Sequence, residues 1–267
     1  MRNWTADEVA EVDERESKFS SIATRIETPE YLLFVVPGSY ALTYVRRFQS
    51  EPSRTEGTID EVLRRVQKSG GKGLRWVVNS RTSPADVGER LLQRGFERLT
   101  TAETLYLALG TKTEPHSPSV RPTGAITARE VFTDREIEVF VRMGETIFGD
   151  PSPPPEYAKG FLSEVHRSIE ATGHSELFLS FDGPVPVGRG GLSVTGPVGR
   201  LWTAGVLEEH RGKGAYKALT TARCKSALDQ GAEIVLTHAR VGTSGPTLKK
   251  MGFRSAGPYL YYEIRSI

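Results

Sequence analysis

Apolar residues fall along this chain in two rhythms, one of strands and one of helices. Tyr31-Leu32-Leu33-Phe34-Val35-Val36 is a short unbroken apolar run, as a buried strand requires. Pro37-Gly38-Ser39 turns the chain into a second predicted strand, Tyr40 to Val45. From Thr58 to Gln67 the period changes. Ile59, Val62, Leu63 and Val66 make a helical stripe, with Thr58 placed to cap it. Arg75 to Val78 reads as a strand. Ser83-Pro84-Ala85-Asp86 opens a helix with its cap ahead of a first-turn proline, and Arg94-Gly95 ends it. A charged helix over Asp7 to Lys18 precedes all of these.

The alternation is clearer beyond residue 125. Ile126 to Val131 is strand-like, and Thr133-Asp134-Arg135-Glu136 is a capping box that opens a helix to about Thr146. The proline-rich stretch Phe148 to Pro155 is a stiff loop before a second helix to about Ala171. Glu176 to Phe181 and Pro186 to Val194 form a hairpin around Asp182-Gly183. Arg200 to Val206 is a strand, Gly214 to Gln230 a helix and Glu233 to Arg240 a strand. A short helix, Ser244 to Met251, and a last strand, Tyr259 to Ile264, follow. The fold class is α/β, with helices and a mixed sheet in one layered arrangement.

Between the two halves lies GTKTEPHSPSVRPTG, Gly110 to Gly124, which has no apolar period and the composition of a linker. It predicts a domain over 1–110, a linker over 111–124 and a second domain over 125–267. A faint repeat links the halves: Leu91-Leu92-Gln93-Arg94-Gly95-Phe96 echoes Leu248-Lys249-Lys250-Met251-Gly252-Phe253. The 267 residues carry a net charge of +2, which argues against a large nucleic-acid footprint. Cys224 is the one cysteine, so no internal disulfide forms, and no His/Cys cluster has metal-ligand spacing. No apolar run approaches a membrane span and the first residues are polar and acidic, so a soluble cytoplasmic protein is the expectation.

The chemistry concentrates in Leu201-Trp202-Thr203-Ala204-Gly205-Val206-Leu207-Glu208-Glu209-His210-Arg211-Gly212-Lys213-Gly214-Ala215-Tyr216, read as strand, loop and first helical turn. Gly212 and Gly214 allow tight turns and close ligand approach. The unbonded amides of a first helical turn and the helix dipole favour an anion there. Arg211 and Lys213 add positive charge. The segment suits a pyrophosphate, or it is simply a glycine-bearing turn with solvated basic residues.

His210 to Tyr216 resembles the Arg/Gln-x-x-Gly-x-Gly/Ala motif of the GNAT acyltransferase superfamily. Leu248 to Phe253 is similar to the helix-to-strand Gly-Phe that closes that fold. The resemblance covers the chain from about residue 126. It implies a GNAT-like acyl-CoA N-acyltransferase fold, and the N-terminal half resembles a degenerate second copy without a glycine-rich loop. It further implies that acetyl-CoA is the co-substrate and that no metal is used. The amides of Gly212, Lys213, Gly214, Ala215, Tyr216 and Lys217, with Arg211, would hold the pyrophosphate. Ala204, Gly205 and Val206 would pair with the pantetheine arm as an added strand. An N–H near Gly205 or Val206 would stabilise the oxyanion, and Ser244 would also contact the cofactor.

The chain departs from the pattern at three places. Tyr216 replaces a small residue, Leu248 a tyrosine acid and Val241 an asparagine. His238 is then a candidate base, on the strand beside the expected splay, and Tyr261 a candidate acid. Packing roles stand beside both. The implied activity is direct acyl transfer to an amine of a small molecule. A non-catalytic acyl-CoA-binding or regulatory module and O-acyl transfer are the alternatives. The expected assembly is a monomer, as an internal pseudo-dimer, or a homodimer, with no nucleic-acid or membrane partner.

Overall fold

The computed structural model describes residues 2–15, 23–40, 42–110, 126–149 and 155–267. The predicted linker, the end of the first helix and most of the loop at 150–154 lie outside the described residues. In chain order the elements begin with α1 (Ala6–Arg15), β1 (Thr24–Glu27), β2 (Tyr31–Val35), β3 (Tyr44–Phe48) and α2 (Thr55–Lys68). β4 (Leu74–Asn79), α3 (Val87–Gln93), β5 (Glu97–Ala108), β6 (Ile126–Glu130), α4 (Asp134–Phe148) and α5 (Pro155–Thr172) follow. The rest is β7 (Leu177–Asp182), β8 (Val185–Thr195), β9 (Val198–Val206), α6 (Ala215–Asp229), β10 (Ile234–Arg240), α7 (Ser244–Lys250) and β11 (Arg254–Ile264). A short 3₁₀ turn, Glu208–His210, precedes α6.

Two compact units interleave along the chain. The N-terminal unit comprises Thr5–Leu105, His238–Pro246 and Ser255–Ile267; the C-terminal unit comprises Met1–Trp4, Tyr106–Thr237 and Thr247–Arg254. The chain therefore passes from one unit to the other within β5 and within β10, and most of the last strand belongs with residues from the first half.

In the N-terminal unit β1, β2 and β3 are antiparallel neighbours, β3 and β4 are parallel, and β11 lies antiparallel on β4 with Tyr261 opposite Val77. β2 is buried along its whole length, which explains its unbroken apolar run. Its core gathers Tyr31, Leu33, Phe48, Ile59, Val62 and Trp76. The Phe48, Trp76 and Phe96 rings meet edge to face, with centroids 5.1 and 6.1 Å apart.

In the C-terminal unit the strand order is β10-β9-β8-β7-β6. β6 to β9 are antiparallel, and β9 and β10 are parallel. Each face of this sheet carries helices. Leu177 and Leu179 of β7 pack with Ile137, Phe140 and Met143 of α4 and Val165 of α5. Val187 and Val206 pack with Ala215, Tyr216 and Ala218 of α6 on the other face. The capping box forms as its spacing predicts: Thr133 caps α4, its Oγ1 accepting from the Glu136 amide. The hairpin at Asp182-Gly183 also forms.

Three local expectations are corrected. The strand predicted from Tyr40 begins at Tyr44, because Ser39 and Thr43 close turns onto Val36 and Tyr40, and Thr43 Oγ1 bonds the Ser39 carbonyl. Thr58 does not cap α2. The helix starts one turn earlier, so Thr58 lies inside it and its hydroxyl donates back to the Arg54 carbonyl. Ser83 does not start α3, because its backbone bridges Phe48 and Ser50 beside β3; the helix begins after Asp86.

Candidate functional site

β9 and α6 frame the Gly212–Gly214 segment of the C-terminal unit. β9 ends at Val206, and the Leu207 amide still donates to Val187 of β8 at 2.9 Å. The 3₁₀ turn follows, and then Gly212 and Gly214 reverse the chain with φ of 78° and 94°. Both values lie where side chains are disfavoured, so glycine is the residue these positions need. Gly214 is the N-cap of α6 and has no side chain to cap it. The Ala215, Tyr216 and Lys217 amides therefore lack a partner inside the helix. An added Cβ at Gly212 or Gly214 would meet nothing within 4 Å, so the space over the loop is open.

The charge agrees with that geometry. α1, α2 and α4 carry acids in their first turns, which offset the positive end of the helix dipole. α6 carries none. Arg211 and Lys213 are exposed at its mouth, and Arg211 Nε reaches the Val206 carbonyl at 3.4 Å. Tyr216, the residue that departs from the motif, packs with Val187 and Val206 under the helix rather than over the loop. These residues suit a pyrophosphate: open space over Gly212 and Gly214, first-turn amides with no acceptor inside the helix, and the charges of Lys213 and of Arg211, which Glu208 approaches at 4.0 Å, meet at one helix start.

β9 itself is irregular where the pantetheine is expected. Arg189 pairs with Gly205 and Gly191 with Trp202, so β9 spends one more residue than β8 between the two pairs. The result is a bulge, and Thr203 within it has φ of 41°. On the other side, β9 registers with β10 only at Val198, Gly199 and Arg200, opposite Ile234, Val235 and Leu236. Among the described residues, the β10-side edge of β9 from Leu201 to Val206 has no registered ladder partner. Ala204, Gly205 and Val206 lie on that stretch. An extended arm can hydrogen-bond there without any particular side chain.

Two arginines flank the bulge, and neither was a sequence candidate. Arg189 lies 3.7 Å from the Phe140 ring centre and donates to the Phe140 carbonyl at 2.7 Å, room for it being left by Gly144. Arg223 is fully buried on the opposite face and donates to the Leu219 and Gly191 carbonyls.

His238, Tyr261 and Ser244 lie in the N-terminal unit. Ser244 is half-buried at the first residue of α7. His238 continues β10 two residues beyond Leu236. Its ring stacks on Tyr259 with centroids 3.6 Å apart and planes at 14°. Its Nε2 lies 2.7 Å from Oδ2 of Asp13. Asp13 is also paired with Arg46, whose guanidinium is bonded to the Tyr259 hydroxyl. Tyr261 meets Tyr259 edge to face at 5.1 Å. Burial pushes both phenols upward and keeps them protonated. The Tyr261 hydroxyl is thus a donor at every working pH, but a reluctant acid.

Sequence reasoning missed Asp13. A signal existed: Val9 and Ala10 make the buried stripe of α1, and Asp13 stands three and four residues further on the same face. A carboxylate in core register needs a buried partner. Leu248 is buried and Val241 exposed, and neither aliphatic side chain carries a proton donor. Among the described residues no group of His, Cys, Asp and Glu is placed to hold a metal ion. No helix there is long and apolar enough to cross a membrane.

Neither a protein-family model nor a curated protein matches the sequence. Solved structures do match the fold. A GCN5-related N-acetyltransferase from Sphaerobacter thermophilus superposes with a TM-score of 0.64 at 17% identity, covering 97% of this chain and 85% of that one. A GCN5-related N-acetyltransferase from Kribbella flavida gives 0.63 at 13%, covering 90% and 89%. A tandem GNAT protein from the clavulanic acid biosynthesis pathway gives 0.56 at 14%, covering 96% and 87%. The chain has the fold of the GNAT acetyltransferases.

Proposed function

We propose that the protein is an acyl-CoA-dependent N-acetyltransferase that moves an acetyl group from acetyl-CoA directly to an amine of a small molecule. The observation that carries this reading is the uncapped, acid-free start of α6 behind Gly212 and Gly214, next to the bulged edge of β9. The first feature suits the pyrophosphate and the second the pantetheine arm. The fold shared with GNAT acetyltransferases supports the same reading at the level of the reaction class.

The chemistry follows from that arrangement. The amine nitrogen attacks the thioester carbonyl, and the tetrahedral oxyanion is stabilised by a backbone N–H near Gly205 or Val206. The C–S bond then breaks and coenzyme A leaves as the thiol or thiolate. His238 is the candidate base for the amine proton. Tyr261 is the candidate donor to the departing sulfur. Because burial opposes its ionisation, most of the rate would come from holding the reactants together.

A second reading, acyl-CoA binding without turnover, is favoured by Leu248 and Val241, which stand where the resemblance to the GNAT pattern implies a tyrosine and an asparagine and which carry no ionisable group. Release of free coenzyme A from acetyl-CoA, followed with a thiol reagent over a panel of small primary amines, separates the two. Amine-dependent release supports the enzyme. Stabilisation by acetyl-CoA with no release from any amine would favour the binding module.

A further inference from the structure

Arg223 is a buried charge of the C-terminal unit that no step above uses. It lies on α6, is 1% exposed, and donates from Nε and Nη1 to the Leu219 and Gly191 carbonyls, each at 3.2 Å. Both acceptors are neutral. Among the described residues no carboxylate pairs with it. The titratable groups beside it are the Tyr216 phenol and the Cys224 thiol of its own helix, while β8 and β9 turn Gly190 and Ala204 toward it. Burial pulls its pKa down, yet a guanidinium stays charged at every working pH. A buried cation without a counter-charge is costly, and buried charges are otherwise paired.

The fold puts this guanidinium beside the free edge of β9. A Cβ added at Gly190 would lie 3.0 Å from Arg223 Cζ and 3.2 Å from Ala204 Cβ, so the two side chains meet over one point of β8. The depth agrees. Arg223 stands two turns beyond Ala215, about 12 Å along the helix axis. β9 returns from Val206 at about 3.3 Å per residue, which brings the bulge around Thr203 level with Arg223. An arm that runs from the phosphates along Val206, Gly205 and Ala204 carries its sulfur to this level.

We infer that Arg223 is the electrostatic partner of the departing sulfur, its fixed positive charge stabilising the coenzyme A thiolate in place of an acid that would protonate it. This rests on the proposed placement of coenzyme A. In the step the amine nitrogen bonds to the acyl carbon, the C–S bond breaks with its electron pair on sulfur, and the proton on nitrogen passes to a base or to water. No proton has to reach the sulfur. That suits a chain with leucine at 248 and a tightly held proton on Tyr261. Away from water the attraction between cation and thiolate is strong.

A purely structural arginine would tie α6 to β8 through the Gly191 carbonyl and leave the sulfur unaffected. The test follows the thiol of bound coenzyme A, ¹³C-labelled at the carbon next to sulfur, by NMR over a pH titration of the full chain. In the wild type the bound thiol ionises at least about one pH unit below free coenzyme A in the same buffer. In Arg223→Met that lowering disappears. Arg223→Gln, neutral but able to donate to the Gly191 carbonyl, gives the same result, and Arg223→Lys keeps part of the lowering. In the amine-panel assay Arg223→Met and Arg223→Gln lose about 10²-fold in kcat, while KM for acetyl-CoA stays within about twofold. A wild-type bound thiol that titrates like the free one, or an equal lowering in the wild type and the neutral variants, overturns the proposal. A lowering that depends on Arg223, with no amine-dependent release of coenzyme A, overturns the transfer reading instead and leaves the cation beside the sulfur. Wild-type protein that does not bind coenzyme A overturns the cofactor placement and this inference with it.

Discussion

Trp202 meets Phe140 edge to face, centroids 6.2 Å apart and planes at 80°, and it reaches that helix because β9 is bulged. Gly205 faces α4 as well, since a Cβ there would strike Ile147 and Phe148. Two residues three apart cannot share a face of a regular strand, whose side chains alternate. The extra residue around Thr203 restores the match. The same irregularity that seats the tryptophan thus interrupts the strand where the acyl chain is expected to lie. Gly191 sits opposite Trp202 and leaves room for the indole.

Gly191→Ala should therefore act as an overpacking change. Its Cβ would come within 2.2 Å of the Trp202 ring, and an indole cannot swing aside as the end of a flexible chain can. A loss of about 1–3 kcal/mol is expected, read from the urea midpoint at unchanged slope. A variant as stable as the wild type would mean that the ring is not packed against β8.

Thr133→Ala should cost about 1 kcal/mol, because it removes the side-chain acceptor for the Glu136 amide at the start of α4. Coenzyme A affinity, measured by calorimetry, should not change, since the cap belongs to a different helix from the one behind Gly212 and Gly214, where the pyrophosphate is proposed to sit. A large loss of affinity would tie the two helices together in a way this account does not include.

Cys224 gives a prediction on pH. Burial pushes its thiol up to about 12. An exposed thiol in the unfolded chain ionises near pH 8.5. Above that pH the unfolded chain binds fewer protons than the folded one, so stability falls as pH rises. The contribution is fully present below pH about 8.5 and is lost toward pH 12, at about 1.4 kcal/mol per pH unit. Cys224→Ala should show a shallower fall over that window than the wild type in urea titrations at matched pH. Parallel slopes would contradict the assignment. The folded thiol should also resist thiol reagents until the chain is unfolded.

The parts of the fold that local chemistry dictates were legible in the sequence. The Thr133-to-Glu136 capping box, the hairpin at Asp182-Gly183 and the glycines ahead of α6 each specify a conformation within a few residues. Where a neighbour from elsewhere competes, local reading gave way. Ser83 is drawn into an extended bridge beside β3 instead of starting α3, and Thr58 is overtaken by a helix that begins at Thr55. The turn at Gly212 and Gly214 was visible for the same local reason. The bulge was not, because Thr203 is neither a glycine nor an asparagine and nothing in its neighbours marks a left-handed residue. The Asp13–His238 pair was not, because 225 positions separate its members. Only the acid on the buried stripe of α1 hinted that a partner existed.

The most direct test of the central claim is a calorimetric titration of free coenzyme A into the wild type and into Gly214→Val. The position has φ of 94° and open space above it, so a branched side chain both strains the turn and occupies the expected place of the phosphates. Gly196→Val, in the β8–β9 turn with φ of 53° and equally open surroundings, controls for strain alone. The account predicts measurable binding in the wild type and the control, and at least a tenfold loss in Gly214→Val. Equal affinity in all three proteins would contradict the placement of the cofactor's pyrophosphate at the start of α6.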